Sequence, residues 1–442
     1  MTDTAPTIPL LEEPRKRFSK IKLKDIRKIQ IFSSSHPHAI AASSILCRAI
    51  LRANVLFHVK FIDNIVPVDY LEAHMGTTSS TLVLAIGLDI IGATSSHQKH
   101  LLGIGSRFHA KIEDLTESSS DIPVAAEAIE FAKETMGVLP EDLGLAAISM
   151  LLESPTNEIT KAIIAASLKE GIIASRKGFK IPGFNFFLMD EVFSNNIHPY
   201  LDSLSGAPES CQRIFEDAEI SYSRWSTPLN KLNPKETRQL NAVLLLSLSK
   251  AAVPYVLGSD YEFQYEKESS PLRHFSSISS MSQVIWSRHE MGLLLGVLIG
   301  DRARLLDSFV KTYRKYCQEA ISIVAEVNAL LDDSETTKFA DTHILMRTST
   351  LPDTTFPDVG RITLESNAAK DVKFLLLVSE KSLYVIWKKQ LSLLAVSAEL
   401  FKKKIQFIST SKQSVRISDT SDATCSKIVD IMKVLTKDVQ KS

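Results

Sequence analysis

The sequence predicts an α/β protein: a parallel sheet flanked by helices, a helical middle region closed by a long connecting helix, and a smaller α+β domain at the C-terminal end. Three observations carry that reading. Between 29 and 105, short continuous apolar runs alternate with a helical period, the pattern of βαβ units whose strands are covered on both faces. Between Asp301 and Leu331, the apolar residues Leu306, Phe309, Val310, Tyr313, Cys317, Ala320, Ile321, Val324 and Leu331 recur at three- and four-residue intervals, marking one amphipathic helix. Beyond 336 the apolar runs are strand-length again, and one helical period closes the chain.

Taken in order, residues 1–20 show no periodicity, hold Pro6, Pro9 and Pro14, and read as a basic flexible tail. Ile29–Phe32, Val55–Phe61, Thr81–Leu88 and Leu101–Gly105 are expected strands, with Pro37–Arg52 the helix between the first two. Helical periods then cover Pro123–Met136, Glu141–Glu153 and Asn157–Ile172, completing an α/β domain over 21–180. Residues 181–335 are mixed, with helices expected at Ser210–Ala218 and Pro234–Ser249 before the long helix. In 336–442, strands are expected at Lys373–Val378, Leu383–Trp387 and Gln413–Ser418, and the closing helix at Thr424–Lys437.

A chain of 442 residues exceeds what one core usually organises, so two or three domains are expected. The 51 basic residues balance 51 acidic ones, which argues against binding of nucleic acid chiefly through a global field and leaves a local basic face open. One such run exists: Arg15, Lys16, Arg17, Lys20, Lys22, Lys24, Arg27 and Lys28 are opposed only by Asp25. Cys47, Cys211, Cys317 and Cys425 form no close pair, which argues against a disulfide framework or zinc ribbon and fits a reducing cytoplasm. No apolar stretch reaches the ~18 residues of a membrane span. The strongest candidate, Leu240–Leu257, is interrupted by Lys250 and Pro254, and the amino terminus has no apolar signal core, so a soluble cytoplasmic protein with no membrane partner is expected. Glycine is scarce, with 16 residues and none after Gly360, leaving little material for loops that wrap phosphate. Trp225, Trp286 and Trp387 are scattered and expected to pack in cores, and Lys402-Lys403-Lys404 to be solvated.

The stretch Ser33–Leu46, "SSSHPHAIAASSIL", occupies the turn from first strand to first helix, where parallel α/β sheets place their ligands. His36 and His38 are candidate ligands for zinc, nickel or copper, with His97 or Glu153 completing the set. The alternative is a turn whose imidazoles pack and hold no metal. A serine-hydrolase role for Ser33–Ser35 lacks the G-x-S-x-G elbow, and helix capping is the expected role of these serines.

The ordered set formed by this stretch, "LVLAIGL", "DIPVAAEAIEFAKETMG", "NEITKAIIAASLKEGII", "SNNIHPYLDSLSGAPESCQRIFEDAEI", "LNPKETRQLNAVLLLSL" and "EKESSPLRHFSSISSMSQVIWSRHEMGLLLGVLIGD" resembles the DHH phosphoesterases, in particular the archaeal RecJ-like exonucleases, over about 25–335. The resemblance implies a DHH-type fold with a DHH-associated C-terminal domain. Active members hydrolyse phosphodiesters with two hard divalent cations about 3.5–4 Å apart, which demand converging carboxylates. At the positions that match the aspartates of the first motif this sequence has His36 and His38, with Ala39 for the turn glycine. The second motif's aspartate matches Ala85. The Asp-His-His motif matches Ser106-Arg107-Phe108 by spacing, or Ser95-Ser96-His97 by letters, the former being preferred. Glu153 is the one candidate carboxylate left, the glycine-rich segment of the second domain is replaced by "AELFKKKIQFISTSKQSVRIS", and of another motif only Arg288 is kept, in "QVIWSR".

The chain is accordingly identified as an inactivated archaeal RecJ-like member of the DHH family, which also includes the noncatalytic cell-division-cycle subunit of the eukaryotic replicative helicase. That resemblance implies no catalytic residues, no cofactor and no metal, a place at the nucleoid, and a replication role with the GINS complex and the MCM helicase as partners. Single-stranded DNA along the former substrate cleft is a further implied contact. The rival is an exonuclease or phosphoesterase with a metal site rebuilt from His36, His38, His97 and Glu153.

Overall fold

The computed structural model describes residues 18, 21, 23–75, 80–94, 101–115, 122–153, 157–331, 337–340, 342–348, 351–366, 369 and 371–438. The elements run in the order β1 (Lys28–Ser34), α1 (Pro37–Arg52), β2 (Leu56–Ile62), β3 (Ile65–Pro67), α2 (Val68–His74), β4 (Thr81–Ile86), β5 (Asp89–Ile91), β6 (Leu101–Ile104), β7 (Arg107–His109), α3 (Val124–Thr135), α4 (Pro140–Glu153) and α5 (Glu158–Lys169). There follow β8 (Ile173–Phe179), α6 (Met189–Ser194), α7 (Pro208–Asp217), α8 (Pro234–Ser247), α9 (Val253–Val256), β9 (Leu257–Phe263), α10 (Phe275–Ser287), α11 (Met291–Ile299) and α12 (Arg304–Leu330). The chain closes with β10 (Thr337–Ala340), β11 (His343–Arg347), α13 (Phe356–Glu365), β12 (Phe374–Val378), β13 (Leu383–Trp387), α14 (Leu393–Lys402), β14 (Ile408–Ser411), β15 (Ser414–Ile417) and α15 (Asp422–Asp438).

Two compact units form. The first takes the chain up to Ile173 together with His289–Ser308 and Leu394–Ser409; the second takes Ala174–Arg288, Phe309–Leu393 and Thr410–Ser442. The expected α/β class with a parallel sheet is present. In the first unit a four-stranded parallel sheet has the order β2-β1-β4-β6. Because the chain leaves β1 for β2 on one side and returns to β4 on the other, the connections reverse direction between β1 and β4. In such sheets the crevice beyond the strand ends at that point is where ligands bind. Strands β4 and β6 stop at Ile86 and Ile104, short of the expected Leu88 and Gly105. The residues that follow, Gly87 and Gly105, take φ of +62° and +58°, a conformation that ends a strand. A second sheet of three short strands, β3-β5-β7, is also parallel and was not expected, since three residues carry no readable period.

α1 starts at Pro37, whose fixed φ suits the first helical position, and it packs on α3, α4 and α11. Its far end is tied to α4 by Asp142, which accepts from Arg48 Nε at 3.0 Å and Arg52 Nη2 at 2.8 Å. The expected long helix is α12, 27 residues and about 40 Å long, which from Phe309 onward belongs to the second unit. The six-stranded sheet, order β10-β11-β12-β13-β15-β14, belongs chiefly to this unit. The expectation of strands and one closing helix beyond 336 is corrected by α13 and α14. α13 includes Pro357, Gly360 and the β-branched Val359, Ile362 and Thr363, a composition poor in helix formers, and is helical because its apolar side packs on β12 and β13.

The four cysteines are free and buried, and Trp286 and Trp387 are core residues as expected. Lys402-Lys403-Lys404 is exposed, as are Lys24, Arg27 and Lys28; Arg15, Lys16, Arg17, Lys20 and Lys22 lie outside the described residues. Among the described residues no helix is long and apolar enough to cross a membrane.

Candidate functional site

The sequence-predicted positions gather at the C-terminal ends of β1, β4 and β6. β1 ends in Ser33 and Ser34, both fully buried. The Ser43 hydroxyl on α1 donates to Ser33 Oγ at 2.9 Å, and Ser33 Oγ donates in turn to the Ser34 carbonyl at 3.0 Å. Ser34 Oγ accepts from the His36 N–H at 3.4 Å. The serines thus tie the turn to the helix flank, which corrects the expectation that they cap it: the N-cap residue is His36, in extended conformation with no side-chain cap bond. The His36 and His38 rings meet edge to face, with centroids 5.5 Å apart, and the His38 carbonyl accepts from the Ser149 hydroxyl of α4 at 2.8 Å.

Ala85 is fully buried in a cluster that includes Phe32, Val83, Leu88, Ile90 and Leu101. Its carbonyl accepts from the Ser106 hydroxyl at 2.9 Å, and Ser106 Oγ accepts from the Leu88 N–H at 3.0 Å. Ser106 therefore staples the end of β6 to the end of β4. Its neighbours are also committed to packing. Arg107 holds Asp89 through two bonds, Nε at 2.7 Å and Nη2 at 2.9 Å, and His109 Nε2 lies 2.9 Å from the same carboxylate. The Phe108 ring fills the space over Gly103, where a Cβ would come within 2.9 Å of it. Gly105 sits equally close to α3: a Cβ there would lie 2.7 Å from Val124 Cγ2 and 2.8 Å from its Cα.

Glu153 follows Ser149 by one turn on the same face of α4. It is not the only carboxylate at hand. Glu127 of α3, nearly buried, accepts from the Gly105 N–H at 2.7 Å, so a carboxylate the sequence reading passed over reaches the strand ends. Its signal was present in "VAAEAIEFAKET", where Glu127 and Glu130 interrupt an otherwise apolar half-helix. His97 and the register through Ser95 and Ser96 lie outside the described residues. Among the described residues no group of three or more His, Cys, Asp and Glu is placed to hold a metal ion. Two imidazoles, a methyl group at Ala85 and an engaged hydroxyl at Ser106 do not fit two hard cations, which take oxygen ligands of high charge. In the first unit, the segment after α14 meets the loop after β2: Ser409 N–H and Oγ donate to Asp63 at 3.0 and 2.9 Å, and burial, opposed by these two bonds, raises the Asp63 pKa.

No protein-family model and no curated protein sequence matches the chain. Among solved structures, CDC45 from Entamoeba histolytica aligns over 93% of this chain and 96% of its own, at 12% identity and a TM-score of 0.62. The fold is that of CDC45. RecJ from Thermus thermophilus in complex with Mn2+ aligns over 96% of this chain and 53% of its own at 12% identity and a TM-score of 0.47. A manganese-bound exonuclease RecJ aligns over 92% and 90%, at 12% identity and 0.46.

The second unit of this CDC45-like fold holds a polar centre that no spacing in the sequence announced. Asp358 of α13 accepts from His198 Nε2 at 2.7 Å, from Arg361 Nη2 at 3.1 Å and from the Tyr316 hydroxyl of α12 at 3.0 Å. His198 Nδ1 lies 3.1 Å from Ser280 Oγ, which lies 3.0 Å from the Tyr313 hydroxyl. The serine, histidine and aspartate are connected as in a hydrolase triad, yet Ser280 is only 3% exposed and its hydroxyl is engaged on both sides. Burial alone would raise the Asp358 pKa; His198, Arg361 and Tyr316 reverse this and hold it well below the usual carboxylate range. The arrangement is a clasp joining α10, α12, α13 and the 196–199 turn.

Nearby, His274 precedes α10, is 4% exposed and packs on Phe184 with ring centroids 4.4 Å apart. Burial, with Arg176 and Arg273 adding repulsion, lowers its pKa to about 3. As pH falls below about 6.5, the unfolded chain takes up this proton first. Stability is therefore full above that pH and declines toward pH 3, by up to about 1.4 kcal/mol per unit. Urea midpoints at pH 7.5, 6 and 5 are expected to show a steeper decline for the natural chain than for His274→Phe; parallel declines would remove His274 as the cause.

Proposed function

We propose that this chain is a noncatalytic DNA-replication factor that binds GINS and supports the MCM helicase, with single-stranded DNA as a further contact. The observation that carries this reading is the end-to-end match to CDC45, 93% of one chain against 96% of the other. The filled strand ends agree with it: at the switch point of the sheet, the positions that would present carboxylates to a metal pair carry the Ala85 methyl, the Ser106 staple and the Phe108 ring. The archaeal source and the place at the nucleoid are parts of the same reading.

Two measurements test it. Size-exclusion chromatography of the purified chain with GINS, and with GINS and MCM together, is expected to give co-eluting complexes that survive salt high enough to strip single-stranded DNA, since phosphate contacts weaken steeply with salt. Separate elution would overturn the reading. Hydrolysis of single-stranded DNA with manganese, magnesium or zinc is expected to stay at background, and turnover abolished by His38→Ala would establish the phosphoesterase instead.

A further inference from the structure

β2 is the outer strand in the order β2-β1-β4-β6. Along a strand in a parallel ladder, each residue points its N–H and C=O to the same side, and successive residues alternate. The Ile62 carbonyl accepts from the Ser35 N–H at 2.8 Å, which fixes the phase: His58, Lys60 and Ile62 bond inward to the sheet, whereas Phe57, Val59 and Phe61 direct theirs away from it. Among the described residues nothing hydrogen-bonds to those outward groups. Natural proteins usually blunt such an edge by keeping it short or by placing proline or a charged side chain, most often lysine, in it. β2 is not short and has no proline; its one charged residue, Lys60, bonds inward to β1 through its backbone and lays its ammonium over the Tyr70 ring. The strand is seven residues long, reads LFHVKFI, and begins at Leu56, which is 76% exposed.

A cleft of about 580 Å³ runs beside this strand, lined by Gln30, His58, Lys60, His74, His289 and Met291 among others. Its ionisable lining side chains are one ammonium and three imidazoles, and no carboxylate is among them. Lys60 Nζ is held 4.9 Å over the Tyr70 ring, and the Gln30 amide donates to the His74 carbonyl at 2.7 Å.

We infer that the β2 edge receives an extended segment of a partner protein, added as a fifth strand to this sheet, whose acidic side chains face His58 and Lys60 and whose apolar side chains continue the row of Phe57, Val59 and Phe61. Backbone bonds to the outward groups supply the attachment, and a lining with the Lys60 ammonium and no carboxylate selects the sequence. This deepens the scaffold reading by assigning it a surface. It rests on that reading only for the idea of a protein partner, and its test does not depend on GINS.

The probe is a ten-residue peptide of alternating glutamate and valine, followed by amide hydrogen exchange and fluorescence anisotropy. In the full chain alone, the amides of Phe57, Val59 and Phe61 are expected to exchange at least about tenfold faster than those of His58 and Lys60, and to slow by a similar factor when peptide is added. Val59→Pro deletes one outward donor without touching the ladder to β1, a position where edge strands tolerate proline. It is expected to weaken the peptide by about tenfold or more, equivalent to about 1.4 kcal/mol, with thermal unfolding little changed. Lys60→Glu is expected to weaken it several-fold. Equal protection of both amide sets in the free chain, no binding at about 1 mM peptide, or equal binding by Val59→Pro would overturn the inference. So would a dimer of the natural chain lost in Val59→Pro, which would seat a second copy on the edge. An oligonucleotide that binds Val59→Pro normally but not Lys60→Glu would give the cleft to nucleic acid and overturn it as well.

Discussion

Asp358→Ala is expected to lower the unfolding free energy of the second unit by about 3–5 kcal/mol, the range for removing one partner of a buried ion pair. The size follows from what is left behind. Arg361, its guanidinium turned inward toward the Ile197 carbonyl at 2.7 Å, and His198 would face the vacated site, and the Tyr316 hydroxyl would lose its acceptor. Trp225, Trp286 and Trp387 all belong to this unit, so tryptophan fluorescence in urea reports its unfolding directly. Because folding lowers the Asp358 pKa from its ordinary value near 3.9, the contribution is fully present above about pH 4 and is lost only as pH falls through the folded value. The difference between the natural chain and Asp358→Ala should therefore be flat from pH 5 to 8 and shrink in more acid solution. A difference below ~1 kcal/mol at pH 7 would mean the clasp contributes no more than an exposed ion pair.

Ala85→Asp is the second large expected effect, a loss of about 3 kcal/mol or more from placing an unpaired carboxylate in apolar surroundings. Phe32 stands directly across from Ala85 in the β1–β4 register, and the space on the other side, over Gly103, is taken by the Phe108 ring. An added aspartate thus meets no cation and little room. Its pKa would be raised by burial, so the deficit should be smaller at pH 5 than at pH 8, while the uncharged control Ala85→Asn should lose the same amount at both. Manganese or magnesium should recover neither stability nor hydrolysis. If either cation restored both, the strand ends would still form a metal site.

Much of the fold is legible because its elements follow simple periods. α1 falls at Pro37–Arg52 as the sequence predicts, since Pro37 opens it and nine of its 16 residues are alanine, isoleucine or leucine. The long helix α12 shows its apolar stripe over many turns. Where periodicity is absent, legibility fails. α10 reads FSSISSMSQVIWS, and its buried serines hide the helical face; α11 reads MGLLLGVLI and is apolar all round. At the candidate site, the convergence of strand ends is implied by alternating strands and helices, but the roles of the side chains are not. Ser106 becomes a staple only because β6 ends beside β4, and Glu127 reaches Gly105 only because α3 crosses above a glycine at φ +58°. Asp358 and His198 are 160 residues apart, a distance over which no local pattern can operate.

The first unit is assembled from three separate lengths of chain, the last of them Leu394–Ser409. During synthesis its sheet, complete by Ile104, has left the ribosome long before Ser409 arrives to meet Asp63. A nascent chain must therefore hold this unit unfinished while most of the other is translated, so neither unit can be expressed as a simple truncation, and emergence of the segment from Leu394 onward sets when both are complete.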